Sequence, residues 1–308
     1  MDKFGQAALF SGQGSQFVGM GRALCEFSSE LEDCFVRARS LLGFDLQELC
    51  WNGPLEKLTA PEVCQPALYV VGYGAFCALR SAGLLENLRV CGGFSLGEWT
   101  ALAAAGAVNF EEGLRMVSLR AKYMREAGEA ADGTMAALLG GERGALEELC
   151  RLCGVTAANY NAPGQIVISG ERDRVADALS RAATFGVRKS VPLAVAGAYH
   201  SSLMAPAAER LAKDLAAIAI GKPTVPLLSN VTGEAVEDPE IIGHLLCRQI
   251  KEPVRWESCL QTAWDLGAEE FIECGAGNVL VNLTGKNLPK ARARTAEDVL
   301  RSVSRARG

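Results

Sequence analysis

Short, almost wholly apolar runs alternate along this chain with longer segments whose apolar residues recur every three or four positions. Ala7 to Phe10 is the first such run and predicts a buried strand ending in Ser11-Gly12-Gln13-Gly14-Ser15-Gln16. Leu24 to Leu49 carries helical spacing, with Gly43 as a break. Gln65-Pro66-Ala67 opens a further helix through Leu79, with proline near its first turn. Val90 to Phe94 predicts the next strand, Leu96 to Ala105 a helix of small residues, and Phe110 to Ala127 a longer amphipathic helix.

The pattern changes at about Gly128. Strands are predicted over Thr134 to Leu139, Val155 to Asn159, Gln165 to Ser169 and Val187 to Leu193. Helices are predicted over Arg143 to Cys153 and Arg172 to Phe185. The order βαββαβ is the ferredoxin-like arrangement, a compact unit of its own. An α/β pattern then resumes, with helices over Leu203 to Ile218 and Ile241 to Ile250 and strands over Val225 to Val231 and Phe271 to Glu273. The expected organisation is a large α/β domain from residues 1–127 and 194–308, interrupted by an insertion at 128–193. No internal repeat or low-complexity segment is visible.

Composition narrows the class. Of 308 residues, 49% are hydrophobic and 22% charged, enough apolar surface for one or two domains. A net charge of -5 argues against bulk attraction to nucleic acid. No run approaches the ~20 apolar residues of a membrane span, and Met1 to Gln6 lacks the apolar core of a secretory signal. Eleven scattered cysteines read as free thiols of a reducing cytoplasm. Cys150-x-x-Cys153 has no second pair to complete a zinc site, so both are read as buried helix-face residues.

Four places carry candidate chemistry. Gly93-x-Ser95-x-Gly97 lies between a predicted strand and a helix. A serine on such a turn is held above the sheet, and the next helix N-terminus favours developing negative charge there. The same pentapeptide also suits a plain strand-turn-helix corner with a serine N-cap. The loop after the first strand lacks GxGxxG spacing and reads as one whose backbone and Gln13 amide face a site. Arg120 lies one turn before Met124, beside the apolar side marked by Leu114 and Val117. It therefore points inward, which is costly without an anionic partner. Arg115 and Arg125 read as solvated. His200 sits at a loop-helix junction, and the only other histidine, His244, has ordinary helical surroundings. If Ser95 needs an imidazole base, His200 supplies it.

Taken together the chain resembles the malonyl-CoA:acyl carrier protein transacylase family from Phe10 to about Leu283. The resemblance rests on seven stretches in order. These are Gly12-Gln13-Gly14-Ser15-Gln16, Gly93-Phe94-Ser95-Leu96-Gly97-Glu98, Arg120 within Leu119 to Met124, Asn161-Ala162-Pro163-Gly164-Gln165 through Gly170, Gly197-Ala198-Tyr199-His200-Ser201, Gln249 with Pro253-Val254-Arg255-Trp256, and Glu273-Cys274-Gly275-Ala276-Gly277. It implies an α/β-hydrolase-like large domain with a parallel sheet, carrying the ferredoxin-like insertion. It implies Ser95 as acyl nucleophile, His200 as general base, Arg120 as the malonyl carboxylate ligand, and the N–H groups of Gln13 and Leu96 as oxyanion hole. Gln249 is expected to orient His200 through its main-chain carbonyl. The implied reaction is ping-pong malonyl transfer from malonyl-CoA to the phosphopantetheine thiol of acyl carrier protein in fatty acid biosynthesis. It needs no metal or other cofactor, only CoA esters and the carrier protein as partners, and a cytoplasmic setting.

The sequence departs from the family in two places. Phe94 stands where a histidine usually precedes the nucleophile, and Ala276 where a proline is usual. The aromatic Tyr199 suggests a small acyl group. Carrier proteins of this kind are acidic, so Arg172, Arg174, Arg181, Arg188 and Lys189 are docking candidates. So is the tail 286–308, which has seven basic and two acidic residues. The rivals are a trans-acting polyketide-synthase acyltransferase, a serine hydrolase or thioesterase, and a non-catalytic carrier-protein-binding subunit prompted by Phe94.

Overall fold

The computed structural model describes residues 4–307, with side chains through Ser304. Met1 to Lys3, Gly308 and the side chains of Arg305 and Arg307 lie outside the described residues, and with them part of the amino-terminal and tail readings. The strands are β1 (Gly5–Phe10), β2 (Leu88–Gly93), β3 (Gly133–Gly140), β4 (Thr156–Ala162), β5 (Gln165–Glu171), β6 (Val187–Pro192), β7 (Leu227–Leu228), β8 (Ala235–Val236), β9 (Ala268–Cys274) and β10 (Arg292–Thr295).

Six strands form one sheet in the order β10-β9-β1-β2-β7-β8. All pairs are parallel except β7 with β8. β1 and β9 read as continuous apolar runs because helices cover both faces. Alternate residues divide between two cores. Ala8, Phe10 and Cys91 face Tyr69, Trp99 and Val117 of the helices Pro61–Ser81, Leu96–Ala104 and Phe110–Ala130. Ala7, Leu9 and Val90 face Trp256, Leu260 and Leu280 of the helices Trp256–Asp265 and Val279–Asn287. Phe10 is in register with Gly93 of β2 and Cys274 of β9. The three glycine-bearing turns that follow these strands therefore open at one edge, where parallel α/β sheets bind ligands.

The second sheet is antiparallel, in the order β4-β5-β3-β6, the ferredoxin-like order. The helices Arg143–Cys153 and Arg172–Arg181 bury Leu146, Leu149, Cys150, Cys153, Val175 and Ala178 against Ala136, Leu138, Ile166 and Ile168. The chain is thus a two-part α/β fold, an α/β-hydrolase-like sheet with a ferredoxin-like unit between β2 and β7.

Two expectations are corrected, and the tail shows a strand that the apolar pattern does not predict. Leu24 to Leu49 breaks at Gly43 as expected, but a second interruption makes it three helices, Arg22–Cys25, Glu30–Leu42 and Leu46–Asn52. The last restarts on Asp45, whose carboxylate accepts from the N–H of Glu48, an N-cap that apolar spacing alone conceals. The strand expected over Val225 to Val231 shrinks to Leu227–Leu228. In the tail, Arg292–Thr295 adds an edge strand to the large sheet before the helix Ala296–Arg307. No described helix is long and apolar enough to cross a membrane.

Candidate active site

The turn after β2 dictates its own sequence. A Cβ on Gly93 would lie 2.0 Å from the carbonyl carbon of Gly97, and one on Gly97 would lie 2.0 Å from the carbonyl oxygen of Phe10. Only glycine lets strand, turn and helix come this close. Ser95 between them takes φ 52°, and His200 takes φ 58°. They are the only non-glycine residues with positive φ among those described. Such strain persists where the surroundings over-determine it, and it clusters at functional sites. Asn230 contributes to that constraint: its Oδ1 accepts from the Ser95 N–H (2.7 Å) and its Nδ2 donates to the Gly93 carbonyl (2.8 Å).

The chain brings Ser95, His200, Arg120 and Gln249 together from four distant segments. Ser95 Oγ lies 2.8 Å from His200 Nε2. His200 Nδ1 faces the main-chain oxygens of Gln249 (2.8 Å) and Glu252 (3.1 Å). Both are acceptors only, so the ring proton sits on Nδ1 and Nε2 is free to accept the serine proton. Burial, and then the charge of Arg120, hold the His200 pKa down to about 4 against those two hydrogen bonds. The imidazole is therefore neutral at neutral pH.

Arg120 is 1% exposed. Its Nη1 donates to Gln65 Oε1 (2.7 Å), and its Nη2 donates to Ser95 Oγ (2.9 Å) and Gln249 Oε1 (3.2 Å). Its Nε is buried with no acceptor. Among the described residues no carboxylate pairs with it within 4.0 Å. Burial lowers its pKa to about 10, resisted by the charge of Glu98. It stays a cation at neutral pH.

Gln13 lines the same cavity as Ser95, and its Oε1 accepts from Gln65 Nε2 at 3.3 Å. Leu96 is the first residue of the helix Leu96–Ala104, so its N–H is among the free donors of that N-terminus. The cavity has a volume of about 190 Å³. Its walls come from both sheets: Phe94, Ser95, Arg120 and His200 from one part, Met135, Asn159, Asn161 and Val167 from the other. Tyr199 also lines it. Phe94 packs on Trp256 with ring centroids 5.4 Å apart and planes at 63°, so the aromatic side chain is held by the second core. Of the docking candidates, Arg172, Arg174 and Arg181 pair with Asp132, Glu171 and Asp177, while Arg188 and Lys189 are exposed.

Sequence reasoning missed Gln65, Asn230 and Glu98. Each is a buried polar residue, at 0%, 0% and 5% exposure, Gln65 and Glu98 on largely apolar helices and Asn230 in the turn after β7. Buried polar groups in such positions need partners, and that was the available signal. Among the described residues no group of three or more His, Cys, Asp or Glu could hold a metal ion.

A model of the acyl transferase domain family matches residues 8–304. The chain is 40% identical over 287 residues to the polyketide biosynthesis protein ThaF of Burkholderia thailandensis, covering 92% of this chain and 24% of that protein. It therefore spans about a quarter of that relative's length. It is 38% identical over 285 residues to the malonyl CoA-acyl carrier protein transacylase of Bacillus subtilis, covering 91% of this chain and 89% of that one. A malonyl-transacylase solved in complex with a type II PKS acyl-carrier protein superposes with a TM-score of 0.92 at 33% identity, covering 96% and 98% of the two chains. The chain belongs to the acyl transferase domain family and, within it, to the malonyl CoA-acyl carrier protein transacylases.

Proposed function

We propose that this chain is an acyl-carrier-protein S-malonyltransferase, moving a malonyl group from malonyl-CoA to the phosphopantetheine thiol of acyl carrier protein through malonyl-Ser95. The observation that carries this is Arg120: a buried cation with an unpaired Nε, no acid partner among the described residues, and Nη2 on the nucleophile itself. The edge formed by Nε and Nη2 is the fork that a carboxylate takes bidentately. An acetyl group leaves the buried Nε without an acceptor.

Ser95 Oγ attacks the thioester carbonyl as His200 Nε2 takes its proton. The N–H groups of Gln13 and Leu96 hold the oxyanion, donors that typically contribute ~2.7–4 kcal/mol each. The carbon–sulfur bond breaks, and the CoA thiolate leaves with the proton from His200. The pantetheine thiol then gives its proton to His200 and attacks malonyl-Ser95, and the serine regains that proton as its ester bond breaks. Main-chain oxygens on Nδ1 stabilise the imidazolium less than a carboxylate would, which suits a base that must cycle. All proton transfers in this scheme are carried by the chain and by the two thiols, with no metal or redox cofactor called for.

We read residues 1–127 and 194–308 as the catalytic unit and 128–193 as the insertion that roofs the cavity, with the helix Phe110–Ala130 running across that boundary. Eleven free thiols suit a reducing compartment, and the activity is placed in the cytoplasm, in fatty acid biosynthesis. Polyketide assembly is the second reading, favoured by the 40% identity to ThaF. Loaded enzyme mixed with holo-acyl carrier protein is the test. The carrier gains the malonyl group under this proposal, and free malonate with an unmodified carrier indicates a hydrolase.

A further inference from the structure

Glu98 has no part in the scheme above, yet it is a carboxylate 5% exposed on the helix that leaves Ser95. Its Oε2 accepts from Gln249 Nε2 at 2.6 Å and from the Asn230 N–H at 3.3 Å. Gln249 is 0% exposed and uses every polar group it has. Its Nε2 also donates to the Ser95 carbonyl (2.7 Å), and its Oε1 accepts from Arg120 Nη2 (3.2 Å) and Trp99 Nε1 (3.4 Å). Its main-chain oxygen accepts from His200.

The two ends of a carboxamide have nearly the same shape and opposite hydrogen-bonding character. Turned over, Gln249 would aim an NH2 at the guanidinium and an oxygen at the Ser95 carbonyl, donor against donor and acceptor against acceptor. Above pH 7 the Glu98 carboxylate is ionised and accepts only, so it adds a further constraint to the same Gln249 orientation that Arg120, Trp99 and the Ser95 carbonyl favour. A glutamine at 98 presents either character and removes that constraint. The charge matters too. Glu98 is the acid whose field supports the buried Arg120 cation, acting across the amide between them. A buried cation that loses its compensating anion is strongly disfavoured.

We propose that Glu98 is a positioning residue for acyl selection: it locks the Gln249 side-chain amide so that Arg120 is held, charged and aimed, beside Ser95. The selectivity for an acidic acyl group then depends on a residue that touches neither the acyl group nor the base. This deepens the proposed malonyl reading and rests on it for the identity of the acid.

The test labels Ser95 at pH 8, where Glu98 is ionised, with two fluorophosphonates of equal length, one neutral and one bearing a terminal carboxylate, and follows each rate by intact mass. No CoA ester is involved, so the result stands apart from whether malonyl transfer occurs, which malonyl-CoA with the wild type reads separately. The wild type prefers the anionic reagent, and Glu98→Gln lowers that preference at least about tenfold, the scale of one charge-assisted contact. A general loosening of the elbow would slow both reagents alike. Equal slowing, an unchanged preference, or no anionic preference in the wild type overturns the proposal. If Glu98→Gln does not fold, Gln249→Met, which keeps the main-chain oxygen on His200 and removes the amide, must show the same loss, and a retained preference there overturns it equally.

Discussion

Arg120 Nη2 donates to Ser95 Oγ at 2.9 Å, so the cation proposed to read the acyl group rests on the atom proposed to attack it. An incoming carboxylate competes for Nη2 and, as it wins, releases the serine lone pair for attack. Arg120→Ala is expected to lower kcat/KM for malonyl-CoA at least about a hundredfold, as lost charge-assisted bonds of this kind predict. Acetyl-CoA should lose far less. Arg120→Lys should recover little, because an ammonium cannot bridge both carboxylate oxygens. Acylation rates with the two esters check this, and an undiminished malonyl preference in Arg120→Ala removes the residue from the role.

The low pKa of His200 predicts an acid limb of the acylation rate far below the ordinary imidazole range. With a neutral acylating reagent, which does not use Arg120, the rate should be flat from pH 8 to about 5 and fall as pH passes through about 4, whereas with malonyl-CoA an earlier loss is expected as Glu98 protonates near 7. Stability follows the same group. The unfolded imidazole takes its proton near 6.5 and the folded one near 4, so acid favours unfolding across that window. The stability lost between pH 7 and pH 4 from this group is about 3 kcal/mol. Glu98, raised to about 7 by burial, has the opposite sign, adding stability as it protonates between about 7 and 4.5. Urea melts of wild type and His200→Gln across pH 4.5 to 7.5 separate the two, since Glu98 is common to both. The wild type should show the steeper loss toward acid.

Gly97→Ala sets a Cβ against the Phe10 carbonyl oxygen, a main-chain atom that cannot swing aside. Overpacking at such a contact costs about 1–3 kcal/mol or more. A fall in the thermal midpoint together with loss of Ser95 acylation is expected, because the same glycine shapes the turn that presents the serine.

Phe94→Ala removes the edge contact with Trp256 and one side chain of the cavity wall. The pair interaction alone is ~0.5–1.5 kcal/mol. Stability should fall by at least that amount while malonyl-Ser95 still forms, because no step of the proton path uses residue 94. Loss of the adduct in a folded variant would give Phe94 a larger part than packing.

The elbow was legible in the sequence because steric demand writes itself as glycine: Gly93 and Gly97 flank the one serine the turn can present. The antiparallel unit was legible from the order of its apolar runs, and the inward aim of Arg120 from its place on a helix face. Gln65, Asn230 and Glu98 were not, because their partners lie 55 to 151 residues away and a buried polar residue does not name its partner. The Gln249 contact to His200 was expected only through family resemblance. It uses a main-chain oxygen, which every residue has, so no side chain at 249 advertises it. The strand Arg292–Thr295 was missed because an edge strand half covered by solvent alternates Arg, Ala, Arg and Thr and lacks an apolar run.

Ser95 as an acyl carrier is the centre of the account, and intact mass after brief exposure to malonyl-CoA tests it most directly. The wild type should gain about 86 Da, one malonyl group held as an ester. The gain should map to Ser95, be absent in Ser95→Ala, and disappear when holo-acyl carrier protein is added. A wild type that gains no mass, or a Ser95→Ala variant that gains it equally, contradicts the account.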